Sequence, residues 1–214
     1  MTETLRLDVI SDVMCPWCII GYRQLLGALE LSETPYEVHW HPFELNPNMP
    51  HEGQNIREHV AEKYGSTPEQ SAKSREHMTR MGHELGFEFR YDPDSRMHNT
   101  FNTHQLLHWA GLEGRKDDLK QAMFVAHFTY GRDLSDIAVL ADIAAETGLD
   151  RAEALAVLED QRYAKTVRQE EIYWAQQGIS GMPAVVFNSK HLVTGAQGTE
   201  NYINILKHLS QETA

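Results

Sequence analysis

Cysteine is scarce in this 214-residue sequence, and the only two belong to one tetrapeptide, Cys15-Pro16-Trp17-Cys18. Two cysteines cannot supply the framework of a small disulfide-rich domain. They also fall short of the full ligand set of a structural zinc site, and no second cysteine pair or paired-histidine motif completes it. The pair is therefore expected to serve chemistry rather than stability, and no metal site is predicted.

Positive charge and long hydrophobic runs are scarce as well. The chain has 19 Lys and Arg against 31 Asp and Glu, a formal net charge of -12, so on average it repels a phosphate backbone. No apolar stretch approaches the roughly 20 residues that span a bilayer, and the charged first residues lack the apolar core of a secretion signal. We therefore expect a cytoplasmic protein with no nucleic-acid partner and no membrane partner.

The two ends of the chain have patterns of mixed α/β structure. Apolar and polar residues alternate over 5–10 and again over 36–42, which predicts two strands. An amphipathic helical pattern lies between them, directly after the cysteines. Near the other end, short apolar runs at 184–187 and 192–193 and a helical pattern over 199–209 predict the order β, β, α.

The middle of the chain has little strand character. Turn signals separate helical patterns over 46–178, and five or six helices fit, among them one over 66–85 and one over 134–147. A βαβ unit, a helical block and a ββα unit together predict an α/β thioredoxin fold with an all-helical insertion domain. The thioredoxin-fold domain is then discontinuous, formed by 1–45 and 179–214, and the last helix of the insertion is expected to pack back on it.

Two cysteines separated by two residues are what disulfide exchange requires. One thiolate attacks a disulfide, and a second thiol close by releases the mixed disulfide. The strand-then-helix context predicts Cys15 at a helix N-terminus, with Pro16 in the first turn, where unpaired N–H groups and the helix dipole favour a thiolate. Cys18 lies one turn further along and is expected to be shielded. Both cysteines are therefore assigned as catalytic.

Five groups of residues, spread over nearly the whole chain, carry a family resemblance. They are Asp12-Val13-Met14-Cys15-Pro16-Trp17-Cys18 with Gly21, Phe43-Glu44-Leu45-Asn46-Pro47, Asn99-Thr100 with His104, Gly178-Ile179-Ser180-Gly181-Met182-Pro183, and Gly195-Ala196-Gln197. With these motifs the chain resembles the DsbA-like thioredoxin-fold oxidoreductases, specifically their FrnE-like branch. The resemblance implies the fold predicted above, thiol-disulfide oxidoreductase activity and no bound cofactor.

The resemblance also implies roles for residues outside the cysteine pair. In the family, the proline at the place of Pro183 follows a cis bond and faces the sulfurs, so Met182 and Pro183 are expected to bind an extended substrate segment. A proline that merely starts an edge strand is the alternative. The other residues assigned to substrate contact are Pro16, Trp17, Asn99 and His104. The expected partner is a disulfide-bearing protein or peptide, with glutathione as a candidate co-substrate.

Two other functions stay open at this point. A glutathione-dependent isomerase or transferase, related to 2-hydroxychromene-2-carboxylate isomerase, uses the same fold but carries serine where Cys15 stands. A redox-inactive peptide-binding module would not need Cys18. Within the leading function, the best-known family members have histidine where this chain has Trp17, so strong oxidising power is not expected. A reducing cytoplasm favours reduction or isomerisation.

Histidines are numerous, and their spacing invites a metal interpretation. His104 and His108 are four residues apart on a predicted helix, but no third ligand at a telling distance accompanies them. Surface or groove positions are expected for both. His39 and His41 alternate on the second predicted strand and are interpreted as part of a polar face.

Overall fold

The computed structural model describes residues 4–212. The strands are β1 (Leu5–Ser11), β2 (Tyr36–Pro42), β3 (Gln54–Asn55), β4 (Arg96–Met97), β5 (Ala184–Phe187) and β6 (His191–Thr194). The helices are α1 (Pro16–Leu31), α2 (Ile56–Tyr64), α3 (Pro68–Glu84), α4 (Phe101–Leu112), α5 (Lys116–Phe128), α6 (Ile137–Glu146), α7 (Arg151–Asp160), α8 (Ala164–Gln176) and α9 (Thr199–Glu212). The predicted orders β, α, β and β, β, α at the two ends are confirmed.

Four strands form one mixed sheet in the order β2, β1, β5, β6. β1 is parallel to β2, with α1 as the crossover between them, and antiparallel to β5. The register aligns Leu7 with Val38 on one side and with Phe187 on the other. Because side chains alternate along a strand, the odd-numbered residues of β1 share one face of the sheet.

The face of the sheet toward α1 and α9 is almost wholly apolar. Its buried side chains are Leu5, Leu7, Val9, Tyr22, Leu25, Ala28, Leu29, Trp40, Val185, Phe187, Tyr202, Leu206 and Leu209. Fully burying a side chain of this size contributes about 1.5–3 kcal/mol relative to leaving it in water. We call this region the apolar face, and it holds α1 on the sheet.

The opposite face of the sheet is covered by α8 and has polar groups in its interior. Trp174 of α8 packs on Ile10 of β1. Beside this contact, His41 of β2 bonds Asp8 through Nε2 (2.9 Å) and Glu170 of α8 through Nδ1 (2.8 Å). Asp8 is 2% exposed. The polar face predicted for the second strand is therefore largely buried at His41 and joined to the helical block.

Residues 46–178, all of which are described, form seven helices rather than the predicted five or six. The missed boundary separates α7 from α8 at Gln161, which adopts a left-handed conformation (φ 56°) usually signalled by glycine. The predicted helix over 134–147 begins at Ile137 because the side chain of Asp136 caps it. Two short strands, β3 and β4, also pair within this block. No helix in the described part of the chain is long and apolar enough to cross a membrane.

Helix α1 belongs to two hydrophobic cores. Its first turns contribute Ile19 and Ile20 to the core of the helical block, which also contains the two cysteines. Its later turns contribute Leu25 and Leu29 to the apolar face. The helix that carries the dithiol motif is therefore held from both sides.

Candidate dithiol active site

The loop after β1 places Cys15 directly before α1. Cys15 is the N-cap residue, its backbone is extended, its side chain makes no capping hydrogen bond, and Pro16 occupies the first turn. The N–H of Cys18 donates to the carbonyl oxygen of Cys15 (3.0 Å). Both residues are free cysteines, with 4% of Cys15 and 1% of Cys18 exposed. The sulfur of Cys15 is thus the one at the positive end of the helix.

The loop before β5 packs against the start of α1. The peptide bond between Met182 and Pro183 is cis, as the resemblance implies. Gly21 makes room for this loop, since a Cβ there would lie 3.1 Å from Cγ of Pro183 and 3.3 Å from Cα of Ala196. The N–H of Gly195 donates to the carbonyl oxygen of Pro183 (2.7 Å). Motifs that are distant in sequence therefore meet on the helix of the dithiol.

Side chains of both parts of the molecule pack in or against the core that contains the cysteines. Trp17 and Met182 are half-buried and pack against the core that contains the cysteines. The ring of Trp17 lies 6.3 Å from that of His77 on α3. On α2, burial raises the pKa of Tyr64, and the negative charge of Cys15 raises it further. The helical block thus forms part of the active-site border.

A buried carboxylate lies beneath the cysteine loop. Asp12 is 1% exposed and accepts hydrogen bonds from the N–H groups of Met14 (3.2 Å) and Leu45 (2.6 Å) and from the hydroxyl of Thr100 (3.2 Å). Burial alone would raise the pKa of Asp12, but the nearby imidazole of His104 and the N–H of Leu45 hold it below its usual value. Asp12 is therefore an anion that ties the cysteine loop to the helical block.

Lys120 of α5 is a second buried charged group. It is 1% exposed, its Nζ donates to the carbonyl oxygen of Ser11 (3.3 Å), and it lies 5.4 Å from the centre of the Trp40 ring. Burial lowers the pKa of Lys120 to about 8, although the negative charges of Cys18 and Asp12 act in the opposite direction. An amine with this pKa can take up or release a proton near neutral pH.

The surroundings of Cys18 oppose its ionisation. Burial raises the pKa of Cys18 well above its usual value, and the hydrogen bond and negative charge of Cys15 raise it further. Lys120 acts against this rise. Cys18 is therefore a thiol that needs a proton acceptor before it can attack, and Lys120 is a buried amine within its electrostatic reach.

Asn99 and His104 lie at the inner side of the site. The Asn99 amide donates to the carbonyl oxygen of Met49 (3.1 Å) and its oxygen accepts from the N–H of Phe101 (3.0 Å). His104 is 3% exposed, with Nε2 3.2 Å from the carbonyl oxygen of Phe43. His104 is thus buried and not at the surface, because α4 packs it beneath the loop after β2. Substrate contact by either residue stays a prediction.

Sequence reasoning gave no role to Lys120, and Asp12 entered it only as part of a motif. A signal for the lysine exists in α5, where Lys120 falls on the same stripe as Leu119, Met123 and Phe124, all fully buried. Lysine is rarely buried in proteins. A lysine among the apolar residues of a helix is therefore expected either to reach solvent with its amine or to be a buried functional group. Among the described residues, no group of three or more histidines, cysteines or acids could hold a metal ion.

Solved structures of low sequence identity share this fold. A structure of 2-hydroxychromene-2-carboxylate isomerase matches with a TM-score of 0.73 and 11% identity, covering 97% of each chain. The cytosolic disulfide reductase DsbM from Pseudomonas aeruginosa, solved with GSH, matches with a TM-score of 0.63 and 18% identity, covering 96% of this chain and 99% of that chain. At these identities the similarity shows the fold alone.

Two further matches are closer. A family model described as a DSBA-like thioredoxin domain matches residues 6–207. The crystal structure of a probable DsbA oxidoreductase from Streptomyces coelicolor matches with a TM-score of 0.91 and 31% identity, covering 97% of this chain and 91% of that chain. Assignment to the FrnE-like branch stays a prediction. Because both matches span the sheet, the dithiol helix and the helical block together, the chain belongs to the DsbA-like thioredoxin-domain family.

Proposed function

We propose that this protein is a thiol-disulfide oxidoreductase in which Cys15 attacks a disulfide and Cys18 resolves the mixed disulfide. One observation carries the proposal: the two free cysteines lie one turn apart at the start of α1, with the Pro183 loop packed on the same helix. The chemistry needs no bound cofactor, because the two sulfurs themselves supply both electrons.

The first step belongs to Cys15. Its thiolate, at the N-terminus of α1, attacks one sulfur of the substrate disulfide, and the other sulfur leaves with the electron pair. Trp17, Met182 and Pro183 would border the substrate, and backbone groups of Met182 would pair with an extended segment. Disulfide-bearing proteins or peptides are the substrates that such an arrangement fits.

The second step belongs to Cys18. Its thiolate attacks the sulfur of Cys15, the bond between Cys15 and the substrate breaks, and an intramolecular disulfide remains. Because burial keeps Cys18 protonated, this step requires a base inside the protein. Lys120 is the candidate, since its lowered pKa leaves a substantial neutral fraction near pH 8.

Reduction or isomerisation of disulfides in the cytoplasm, with glutathione as co-substrate, is the direction we propose. Trp17 offers only an indole N–H where a histidine could favour the thiolate by charge, so nothing between the cysteines promotes strong oxidation. The fold match to a cytosolic disulfide reductase solved with GSH supports the same direction. Equilibration with glutathione buffers, followed by quantification of the Cys15–Cys18 disulfide, tests it, because a potential near the cytosolic poise identifies a reductase.

Single cysteine variants test the dithiol mechanism. In an insulin-reduction assay, Cys15→Ser should abolish turnover, because the attacking sulfur is lost. Cys18→Ser should trap mixed disulfides that mass spectrometry detects, because the resolving thiol is lost. Full turnover by Cys15→Ser would falsify the assignment.

The fold match to 2-hydroxychromene-2-carboxylate isomerase keeps a glutathione-dependent isomerase as the second candidate. Such an enzyme needs only one group at the helix N-terminus to orient the glutathione sulfur, so Cys18→Ala should retain most of its rate. The oxidoreductase should instead accumulate a Cys15 adduct and lose turnover by orders of magnitude. Near-native turnover of a small disulfide by Cys18→Ala, with no adduct, would favour the isomerase.

A further inference from the structure

A small, partly enclosed cavity adjoins Lys120 at the junction of β2 with α4, α5 and α8. Its volume is about 10 Å³, which is close to the space that a single water molecule needs. It is lined by Trp40, His41, Pro42, His104, Leu107, His108, Lys116, Lys120 and Glu170. Most of these side chains are polar, so the cavity offers a water molecule several hydrogen-bond partners.

Lys120 needs such a partner. An ammonium group has three N–H donors, and within residues 4–212 the structure gives Nζ of Lys120 a single hydrogen-bond acceptor, the carbonyl oxygen of Ser11. Buried donors of a charged group are costly to leave without acceptors. A water molecule in the adjoining cavity would satisfy one of the remaining donors.

A second, open cleft lies on the other side of one wall of the cavity. It has a volume of about 420 Å³, and its lining includes Asp8, Trp174 and Lys190. The cavity and the cleft share two lining residues, His41 and Glu170. No residue of the Cys15 loop or of the Met182–Pro183 peptide lines this cleft. We call the His41–Glu170 pair the wall.

The wall belongs to a continuous chain of hydrogen-bonded side chains. Nδ1 of His41 bonds Oε1 of Glu170 (2.8 Å), and Nε2 of His41 bonds Oδ1 of Asp8 (2.9 Å), so one imidazole joins a carboxylate of the cavity to a carboxylate of the cleft. Burial acts to raise the pKa of Glu170, but the hydrogen bond from His41 and the charge of Lys116 lower it overall. Glu170 is therefore an anion that borders both the cavity and the cleft.

We propose that the proton of Cys18 leaves the protein through this wall: from Sγ of Cys18 to Nζ of Lys120, then to a water in the cavity, and across the His41–Glu170 pair to the cleft. The inference rests on the proposed function. Transfer of this proton leaves a Cys18 thiolate, which forms the bond to Cys15 while the Cys15–substrate bond breaks. The departing sulfur takes the electron pair and is protonated by water at the active site. The dithiol is oxidised and the substrate disulfide reduced.

The groups that face this route come from every element packed against it. They are Arg6 and Asp8 of β1, Asp12 of the loop after β1, His41 of β2, His104 and His108 of α4, Lys116 and Lys120 of α5, Glu170 and Tyr173 of α8, and Lys190 of the turn between β5 and β6. His41 and Glu170 are positioning residues for proton transfer, because they act on Cys18 through Lys120 and touch neither sulfur nor substrate.

The test separates the two steps of the reaction. The reduced protein is mixed with one equivalent of dithiodipyridine, which releases one coloured thiopyridone when Cys15 attacks and a second when Cys18 resolves. Glu170→Gln and His41→Gln should leave the first release unchanged and slow the second about tenfold or more. Added imidazole, which the cleft can admit, should restore the second rate. The matched controls are Glu37→Gln and His39→Gln, whose side chains pair with each other on the same strand outside the cavity.

The outcomes distinguish the route from the function on which it rests. A second release at the wild-type rate in both wall variants would overturn the route, and so would a slowed release that imidazole does not restore. Absence of a second release in the wild-type protein would overturn the dithiol function itself, and the route with it. Slowing in the controls as large as in the wall variants would also overturn the route, because the effect would then not be specific to the wall.

Discussion

Two buried regions of this molecule are built from opposite chemistry. The apolar face joins the sheet to α1 and α9 through aliphatic and aromatic side chains. Where β1 and β2 meet α4, α5 and α8, a polar seam contains Asp8, Asp12, His41, His104, Lys120 and Glu170. Apolar burial stabilises a fold strongly, whereas buried ion pairs add little net stability because both partners lose hydration. The comparison therefore assigns stability to the apolar face and proton chemistry to the polar seam.

The largest expected effect comes from emptying the apolar face. Phe187 is fully buried in that face, so Phe187→Ala should lower the free energy of unfolding by about 3–5 kcal/mol. Urea unfolding at neutral pH measures the loss. Leu192→Ala, at a side chain on the neighbouring strand that is 45% exposed, is the control and should change stability by less than about 1 kcal/mol. Equal losses of unfolding free energy in Phe187→Ala and Leu192→Ala would contradict the assignment of stability to the apolar face.

Removal of the buried lysine should act on rate. Lys120 can accept a proton only when it is neutral, so in the wild-type protein the resolving step should accelerate as the pH rises through about 8. Lys120→Met should lose this acceleration and resolve about tenfold more slowly at pH 8. Stopped-flow release of the second thiopyridone measures both, with the exposed Lys165→Met as control. A slower reaction that keeps the wild-type pH profile would show that Lys120 is not the acceptor.

The smallest expected effect is on acid stability. Burial works to raise the pKa of Asp8, but the hydrogen bonds from Arg6 and His41 hold it below its usual value. The folded state therefore binds a proton at Asp8 less readily than the unfolded chain, so this stabilisation is present above the unfolded pKa of about 4 and is lost as the pH falls through the folded value. Asp8→Asn should cost about 1 kcal/mol near pH 7.

The pH dependence of that cost is the measurement. Urea midpoints determined from about pH 7 to about pH 3 should converge for wild type and Asp8→Asn as the wild-type carboxylate is protonated. The opposite result is a difference in urea midpoint between the two proteins that stays constant over this range. That result would mean that the charge of Asp8 contributes nothing to stability and that Asp8 acts in the polar seam only as an uncharged hydrogen-bonding group would.

The sequence predicts the parts of the molecule whose signals are local. Alternation over 5–10 and 36–42 predicts both parallel strands, and the tetrapeptide with Pro16 in the first turn predicts where α1 begins. The boundary at Gln161 could not be predicted, because its left-handed backbone is stabilised by tertiary contacts, among them a hydrogen bond from its amide to Asn102 (3.0 Å).

The polar seam is harder to predict because its members come from separate elements. Asp8 and His41 look like the outward residues of amphipathic strands, and only the packing of α8 buries them. Lys120 is 102 positions from Cys18 in the sequence, and only the fold of the helical block brings it within electrostatic reach of the sulfur. The spacing of residues within one segment carries no information about proximity between residues that are distant in the sequence.

The position of α1 in two cores has a consequence for how the molecule melts. Ile19 and Ile20 pack into the helical block, while Leu25 and Leu29 pack on the apolar face. If either the helical block or the apolar face unfolds, α1 loses part of its packing, and this weakens the other region. Thermal unfolding should therefore be cooperative across the whole chain. Differential scanning calorimetry should then give a single heat-absorption peak whose calorimetric and van't Hoff enthalpies agree.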